Sequence, residues 1–337
     1  MDYDLLLANN PLPHDWIDLA IGEATIIRQA LTRAFDLSSF TFPLSKDTSN
    51  YQPPNGYKPL VDLLEQKYDA PVIITNGAKQ GLAASFYAFS KLGKCRLGVR
   101  NPYWALIPPL AKTHGLSLSD KYDCFLAITP NNPDGFSYSA AYSQYLASYH
   151  RSLGIPFVHD AAYYTHTYLP DDYKLLPFGD LQLYSISKML GLSGLRLGYI
   201  VCSNPDYYNL LREYVETMTV GVSTASQYIL HQLLCEMSSS PDKTRRFIVE
   251  SRDDLYRAKF LVRTIRKDII DTPDDVEHIP GMFLWARLKQ KDAFKRAKIN
   301  ISYGEAFGMP GYVRVNLAAD INTIMIAINR VNDVPVV

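Results

Sequence analysis

The sequence carries no charge imbalance, few cysteines and no long apolar run. Of its 337 residues, 34 are Lys or Arg and 34 are Asp or Glu, for a formal net charge of zero. A neutral chain has no electrostatic footprint for nucleic acid or for an anionic membrane, which points to a small-molecule partner. Cys95, Cys124, Cys202 and Cys235 lie far apart with no C-x-x-C pair. That argues against a disulfide framework and suits a reducing compartment. Three of the four sit in apolar runs and are expected as buried free thiols, and no metal site is expected. No apolar run approaches the ~20 residues of a membrane span. Met1-Asp2-Tyr3-Asp4 is acidic where a secretory leader is basic. The expectation is a soluble cytoplasmic protein with no nucleic-acid or membrane partner.

What is present is apolar content, 47% of residues, enough for a chain of this size to bury roughly 75% of its unfolded surface. Val72–Thr75, Cys95–Arg100, Asp123–Thr129, Ile155–His159, Leu181–Ser185 and Leu195–Cys202 read as strands. Their continuous apolarity implies burial on both faces. Helical patterns at Ala78–Lys91, Ala105–Thr113 and Ser139–His150 alternate with them, the rhythm of a mostly parallel α/β sheet with helices on both faces. Ligands in such sheets bind at the carboxyl ends of the strands. Helices follow at about 206–217 and 223–237, with Gly221 and Ser223 marking a break and a cap. A long one covers about 242–267. Met282–Leu288 and Tyr312–Leu317 read as strands of a smaller α+β unit. There is no repeat and no low-complexity linker.

The richest stretch is Ser185-Ile186-Ser187-Lys188-Met189-Leu190-Gly191-Leu192-Ser193-Gly194-Leu195-Arg196-Leu197-Gly198. A lysine at a serine-rich strand end is a candidate Schiff-base nucleophile, because partial burial lowers its pKa and frees its amine. Ser185, Ser187 and Arg196 beside it suit a phosphate. At Asn76-Gly77-Ala78-Lys79-Gln80, small residues at a helix start let an anion approach free backbone N–H groups, although Asn and Gly also make an ordinary N-cap. Asn131-Asn132-Pro133-Asp134-Gly135 is a tight-turn sequence in its own right. In His159-Asp160-Ala161-Ala162-Tyr163, a carboxylate at an apolar strand end needs a cationic partner; His159 reads as a satisfied strand-end histidine. Arg314, inside an apolar strand, wants a carboxylate for its planar fork, supplied by a substrate or by a buried ion pair.

The Ser185–Gly198 run resembles the lysine signature of the class I/II aminotransferases, the pyridoxal-phosphate (PLP) enzymes of fold type I, and fits it at every defined position. The resemblance extends from about Gly22 to Leu317 with the motifs in family order. It implies that Lys188 holds PLP as a Schiff base and serves as the general base at Cα. Asp160 would face the ring nitrogen, making the ring an electron sink, while Asn132 and Tyr163 would bond its 3′-oxygen. Gly77, Ala78, Lys79, Ser185, Ser187 and Arg196 would hold the phosphate. Trp104, in Asn101-Pro102-Tyr103-Trp104, would cover the ring, with Tyr103 as the fallback. Tyr51, in Tyr51-Gln52-Pro53-Pro54-Asn55-Gly56, resembles the tyrosine that crosses a dimer interface, which implies a homodimer with shared active sites. Arg314 would grip the substrate α-carboxylate, with Asn132 and Gly22 alongside, the latter in an arm (Ile21-Gly22-Glu23) that closes over the substrate.

The implied architecture is an arm and part of the small domain at 1–40, a large PLP-binding domain at 41–240 and a small domain at 241–337. The implied activity is transfer of an amino group between an L-amino acid, or a related amine, and a 2-oxo acid. PLP-dependent decarboxylases and lyases share these motifs; Pro130-Asn131-Asn132-Pro133 and the chain's shortness resemble histidinol-phosphate aminotransferases and threonine-phosphate decarboxylases. The family pattern is departed from at Ala24, where many members have proline, and at Tyr303-Gly304 before Phe307. Ser185-Ile186-Ser187-Lys188 also matches the S-x-x-K of serine acyl-enzymes, but no S-D-N or K-T-G triplet accompanies it.

Overall fold

The computed structural model describes residues 12–169, 174–175 and 178–335. Met1–Asp4 and the beginning of the expected arm lie outside them. A seven-stranded sheet runs in the order Val72–Thr75, Gly198–Cys202, Leu181–Ser185, Phe157–Asp160, Cys124–Ile128, Arg96–Val99, Ser117–Leu118. Gly198–Cys202 is antiparallel to both its neighbours, and the other pairings are parallel. The continuous apolar runs are buried on both faces, as such sheets require. Two hydrophobic clusters sandwich the sheet, one containing Phe86, Phe89 and Leu183, the other Phe157, Tyr184 and Tyr199.

The reversed strand decides where the chemistry lies. Thr75 pairs with Gly198, and Gly198 with Ser185. The amino end of Gly198–Cys202 therefore lies at the same edge as the carboxyl ends of its neighbours, and the residues just before it, Arg196 included, reach the ligand edge.

A second, antiparallel sheet has the order Ser302–Tyr303, Tyr312–Asn316, Phe283–Leu288, Ile270–Asp271. The start of the described chain joins this part of the molecule: Ile17–Asp18 pairs in parallel with Ile299–Asn300, and the helix Thr25–Ala34 packs on the helix Pro241–Leu261.

Several expectations are corrected at the level of elements. The strand expected from Leu195 begins at Gly198, because Ser193–Leu195 form a 3₁₀ turn and Arg196 adopts a left-handed φ of 52°. The long helix ends at Leu261 and passes into a 3₁₀ turn at Val262–Thr264. Only Cys124 and Cys202 are buried; Cys95, at a strand entrance, and Cys235, on a helix flank, are exposed. Ser223 does cap the helix Thr224–Ser239, accepting from Ser226 N at 3.4 Å. Among the described residues no helix is long and apolar enough to cross a membrane.

Candidate active site

The strand Leu181–Ser185 runs directly into a one-turn helix, Ile186–Met189, so Lys188 sits on that turn rather than on the strand end expected. The turn fixes the direction of the side chain. Its amine donates to the carbonyl of Gly22, and its own carbonyl accepts from the Tyr168 hydroxyl at 2.7 Å. Burial pushes the amine down to about 8, with Glu23 opposing and Arg314 and Arg196 adding to the drop. A side chain at Gly22 would place its Cβ 3.2 Å from Nζ, tighter than most real contacts.

The wall beside it is built for an anion. Gly77 starts the helix Gly77–Lys91 with a φ of +74°, which glycine adopts without strain. The first N–H groups of that helix have no intrahelical acceptor. A Cβ on Gly77 would lie 3.2 Å from Arg196 Nη2, so the guanidinium stands over the turn. Arg196 is braced by Nη1 donating to Ser193 O at 2.9 Å. Gly198 is glycine for packing: a Cβ there would come within 2.7 Å of Ala78 N and of the Gly77 carbonyl carbon. Asn76 makes no side-chain cap; Gln80 reaches back instead, its Oε1 accepting from Asn76 N at 2.6 Å. Lys79 is exposed, with its ammonium 5.8 Å from the Trp104 ring centroid, its pKa lowered first by desolvation and then by Arg196.

Opposite stand a carboxylate and a guanidinium, neither compensated by charge. Asp160 is buried, accepts from Ala162 N at 3.1 Å, and is pushed up to about 6 by burial. It makes no ion pair among the described residues, so the cationic partner expected for it is not supplied by those side chains. Arg314 donates through Nη1 to Asn132 Oδ1 at 3.0 Å, and through Nη2 to Ala20 O at 2.6 Å and Ser302 Oγ at 3.2 Å. Its plane lies against Phe283 and Phe307, 4.3 and 4.9 Å from the ring centroids. Its Nε has no partner among the described residues, and burial lowers it to about 10. The buried ion pair offered as an alternative for Arg314 is not present among them. Tyr163 is raised by burial, and its surroundings include Arg314, Asp160 and Asn132.

One cavity of about 480 Å³ is lined by Gly22, Gly77, Ala78, Lys79, Trp104, Asn132, Asp160, Tyr163, Ser185, Ser187, Lys188, Arg196 and Arg314. Tyr51 is the expected site residue that does not join them; it is 90% exposed on a loop. Asn131 turns away and ties the turn to its neighbours, donating to Pro102 O and Asp134 Oδ1 at 2.9 and 2.7 Å. His159 points off the site and stacks on Phe178 at 3.7 Å. Its ring nitrogens have no hydrogen-bond partner among the described residues, so it is stacked rather than satisfied, and burial lowers it to about 3. Sequence reasoning gave no role to Tyr168, Glu23, Phe283, Ser302 or Phe307. Glu23 and Phe283 stood inside quoted motifs and Phe307 directly after one; Ser302 reaches the site only through the pairing of the small sheet.

The sequence matches the family model for aminotransferase class I and II over residues 116–331, well over half of the chain. The chain belongs to the class I and II aminotransferases. Tryptophan aminotransferase-related protein 2 of Arabidopsis thaliana is 27% identical over 64% of this chain and 51% of its own length; the chain thus spans about half of that relative. A probable aspartate/prephenate aminotransferase of Aquifex aeolicus is 22% identical over 86% of this chain and 84% of its own. Among solved structures, an aspartate aminotransferase from Thermus thermophilus with maleate superposes with a TM-score of 0.76 at 18% identity, covering 97% of this chain and 93% of that one. That likeness is one of fold, the PLP fold type I.

Class I and II aminotransferases use PLP, and the cavity residues fit it. A protonated ring nitrogen would answer the lone Asp160 carboxylate, a phosphate would answer Arg196 and the open N–H groups at Gly77–Lys79, and an aldehyde would answer the half-buried Lys188 amine with its lowered pKa. The unpartnered Nε of Arg314 fits a further anion.

Proposed function

We propose that this aminotransferase moves the amino group of an L-amino acid to a 2-oxo acid with the residues of this one cavity. A bound PLP supplies an electron sink that lowers the cost of breaking the Cα–H bond. Lys188 would hold the cofactor, and its Nζ would serve as the base that takes the Cα proton. With its pKa lowered to about 8, a far larger share of that amine is neutral near pH 7 than of a free lysine, while the charged form still predominates. Asp160 would hold a protonated ring nitrogen, Asn132 and Tyr163 would hydrogen-bond the 3′-oxygen, and Trp104 would cover the ring. Gly77, Ala78, Lys79, Ser185, Ser187 and Arg196 bind the phosphate. Arg314 would bind the substrate α-carboxylate and, with Gly22, orient Cα so that its C–H bond is the one broken. The observation that carries this reading is the convergence of a half-buried amine, a buried carboxylate and a buried guanidinium that do not neutralise one another.

The working unit we propose is a cytoplasmic homodimer. Tyr51 stands exposed beside other exposed apolar side chains, Met218 and Val220, near the phosphate turn. Gln52 O lies 4.0 Å from where a Gly221 Cβ would be, and Gln80 donates to Thr219 at 3.3 Å. Clustered apolar exposure of this kind marks an interaction face.

The test is the visible spectrum of purified protein supplied with PLP, before and after a panel of amino acids without keto acid. A visible band that converts to the pyridoxamine form with one donor is expected. A band that persists with every donor, or one that releases carbon dioxide or a side-chain fragment, overturns transamination in favour of decarboxylase or lyase chemistry. Lys188→Ala is expected to abolish both the band and turnover; a band retained in that variant removes Lys188 from its place.

A further inference from the structure

The arm segment Leu19–Glu23 is held from several sides at once. Arg314 Nη2 donates to Ala20 O at 2.6 Å, and Asn316 Nδ2 to the carbonyls of Ile21 and Glu23 at 2.9 Å each. The backbone N–H of Asn316 donates to Leu19 O at 2.8 Å, and Lys188 reaches Gly22 O. These contacts tie the arm to the small sheet and to the lysine. Glu23 adds a different connection: its Oε2 accepts from Ser193 Oγ at 2.8 Å, across 170 residues of sequence. Ser193 is also the residue whose carbonyl braces Arg196, at 2.9 Å, and Arg196 stands over the Gly77 turn.

We propose that Glu23 is a positioning residue that latches the arm onto the Ser193–Arg196 loop, so that the phosphate seat at Arg196 and the carboxylate seat at Arg314 are set together. The inference rests on the PLP reading above. One chain of contacts runs from the phosphate wall through Ser193 and Glu23 into the arm, and from the arm's carbonyls to Arg314. An anion that fixes Arg196 fixes Ser193, and through Glu23 the stretch of backbone on which Arg314 leans. Filling one seat therefore orders the other. The carboxylate also faces the Lys188 amine, together with Arg314, Arg196 and Asp160 around the same cavity. Being negative, it favours the protonated form of the lysine nitrogen, against the effect of burial.

The experiment uses the full-length protein with PLP and compares Glu23→Ala, Ser193→Ala, their double variant and Glu23→Gln. Each alanine variant is expected to raise the Kd for PLP and the KM for the amino donor by about tenfold, the loss of one charge-assisted hydrogen bond. The double variant should cost no more than either single, because both remove the same contact. Glu23→Gln keeps an oxygen that accepts from Ser193 and should restore most of the affinity. Its visible band should nevertheless titrate at lower pH than wild type, since the negative charge is gone. Single variants with wild-type Kd and KM, or losses that add in the double, overturn the latch. A wild-type protein that takes up no PLP overturns the function proposed above and the latch with it. Uptake by wild type with variants indistinguishable from it overturns the latch alone.

Discussion

Asp160 is kept in a state that costs the protein stability. Its folded pKa is raised to about 6 from 3.8, so between those values the folded chain holds a proton that the unfolded chain has released. The cofactor-free protein is then relatively most stable below 3.8 and loses that contribution as pH rises through about 6. At neutral pH the penalty is up to about 3 kcal/mol, from the size of the shift. Asp160→Asn keeps the shape and an acceptor for Ala162 N while removing the charge. Its cofactor-free form is expected to melt above wild type at pH 7 and not at pH 4, by thermal unfolding. Its transamination rate with PLP is expected to fall on the order of 100-fold or more, as for loss of a preorganised charge. A variant that melts lower, or one that turns over normally, removes Asp160 from the ring. Arg314 answers differently to substitution. Arg314→Lys replaces a planar fork with a point charge that cannot hold Asn132, Ala20 and Ser302 together with a carboxylate. KM for amino acids should rise steeply with PLP binding retained; unchanged amino-acid binding would make Arg314 structural.

At the scale of elements, the legible parts were those where local chemistry and long-range placement agree. Strand ends carry Asp160 and Ser185, and a glycine turn opens the helix at Gly77, so runs of apolar residues ending in polar ones located most of the cavity. Edges drifted where backbone conformation overrode composition. Leu195 and Leu197 are apolar enough for a strand, yet the left-handed Arg196 between them keeps the chain out of the sheet until Gly198. Ser302 carried no local signal, because its arrival beside Arg314 depends on the pairing of Ser302 with Arg314 on adjacent strands. Gly198 shows the same dependence on neighbours. A methyl group there would sit 2.6 Å from Tyr184 O and 2.7 Å from Ala78 N, both backbone atoms that cannot swing away. Gly198→Ala should destabilise the protein by about 1–3 kcal/mol, as overpacking does, and should weaken PLP binding by displacing the phosphate turn. Calorimetry and a PLP titration check the two effects; wild-type values in both would mean that the strand shifts without loss.

At the scale of the whole molecule, one sequence-identified position stands apart from the rest. The other site residues meet within a single chain, whereas Tyr51 is 90% exposed and lines no part of the cavity. A position whose role lies across an interface is legible only through resemblance, because neither periodicity nor burial within one chain specifies a second copy. The proposed dimer makes this a matter of stoichiometry. If Tyr51 of each subunit completes the phosphate site of the other, Tyr51→Ala and Lys188→Ala damage opposite halves of the same composite site. Each homodimer should be impaired, Tyr51→Ala through a raised Kd for PLP and Lys188→Ala through loss of turnover. Random reassortment of equal amounts makes half the dimers hybrid, each with one whole site and one doubly damaged site. At limiting PLP the mixture should recover about a quarter of wild-type activity, as an isologous two-fold assembly requires. Recovery should appear only after conditions that let subunits exchange, and should fall on dilution below the dimer Kd. A Tyr51→Ala protein with wild-type PLP affinity, or a mixture no more active than the sum of its parts after verified exchange, would confine the site to one chain.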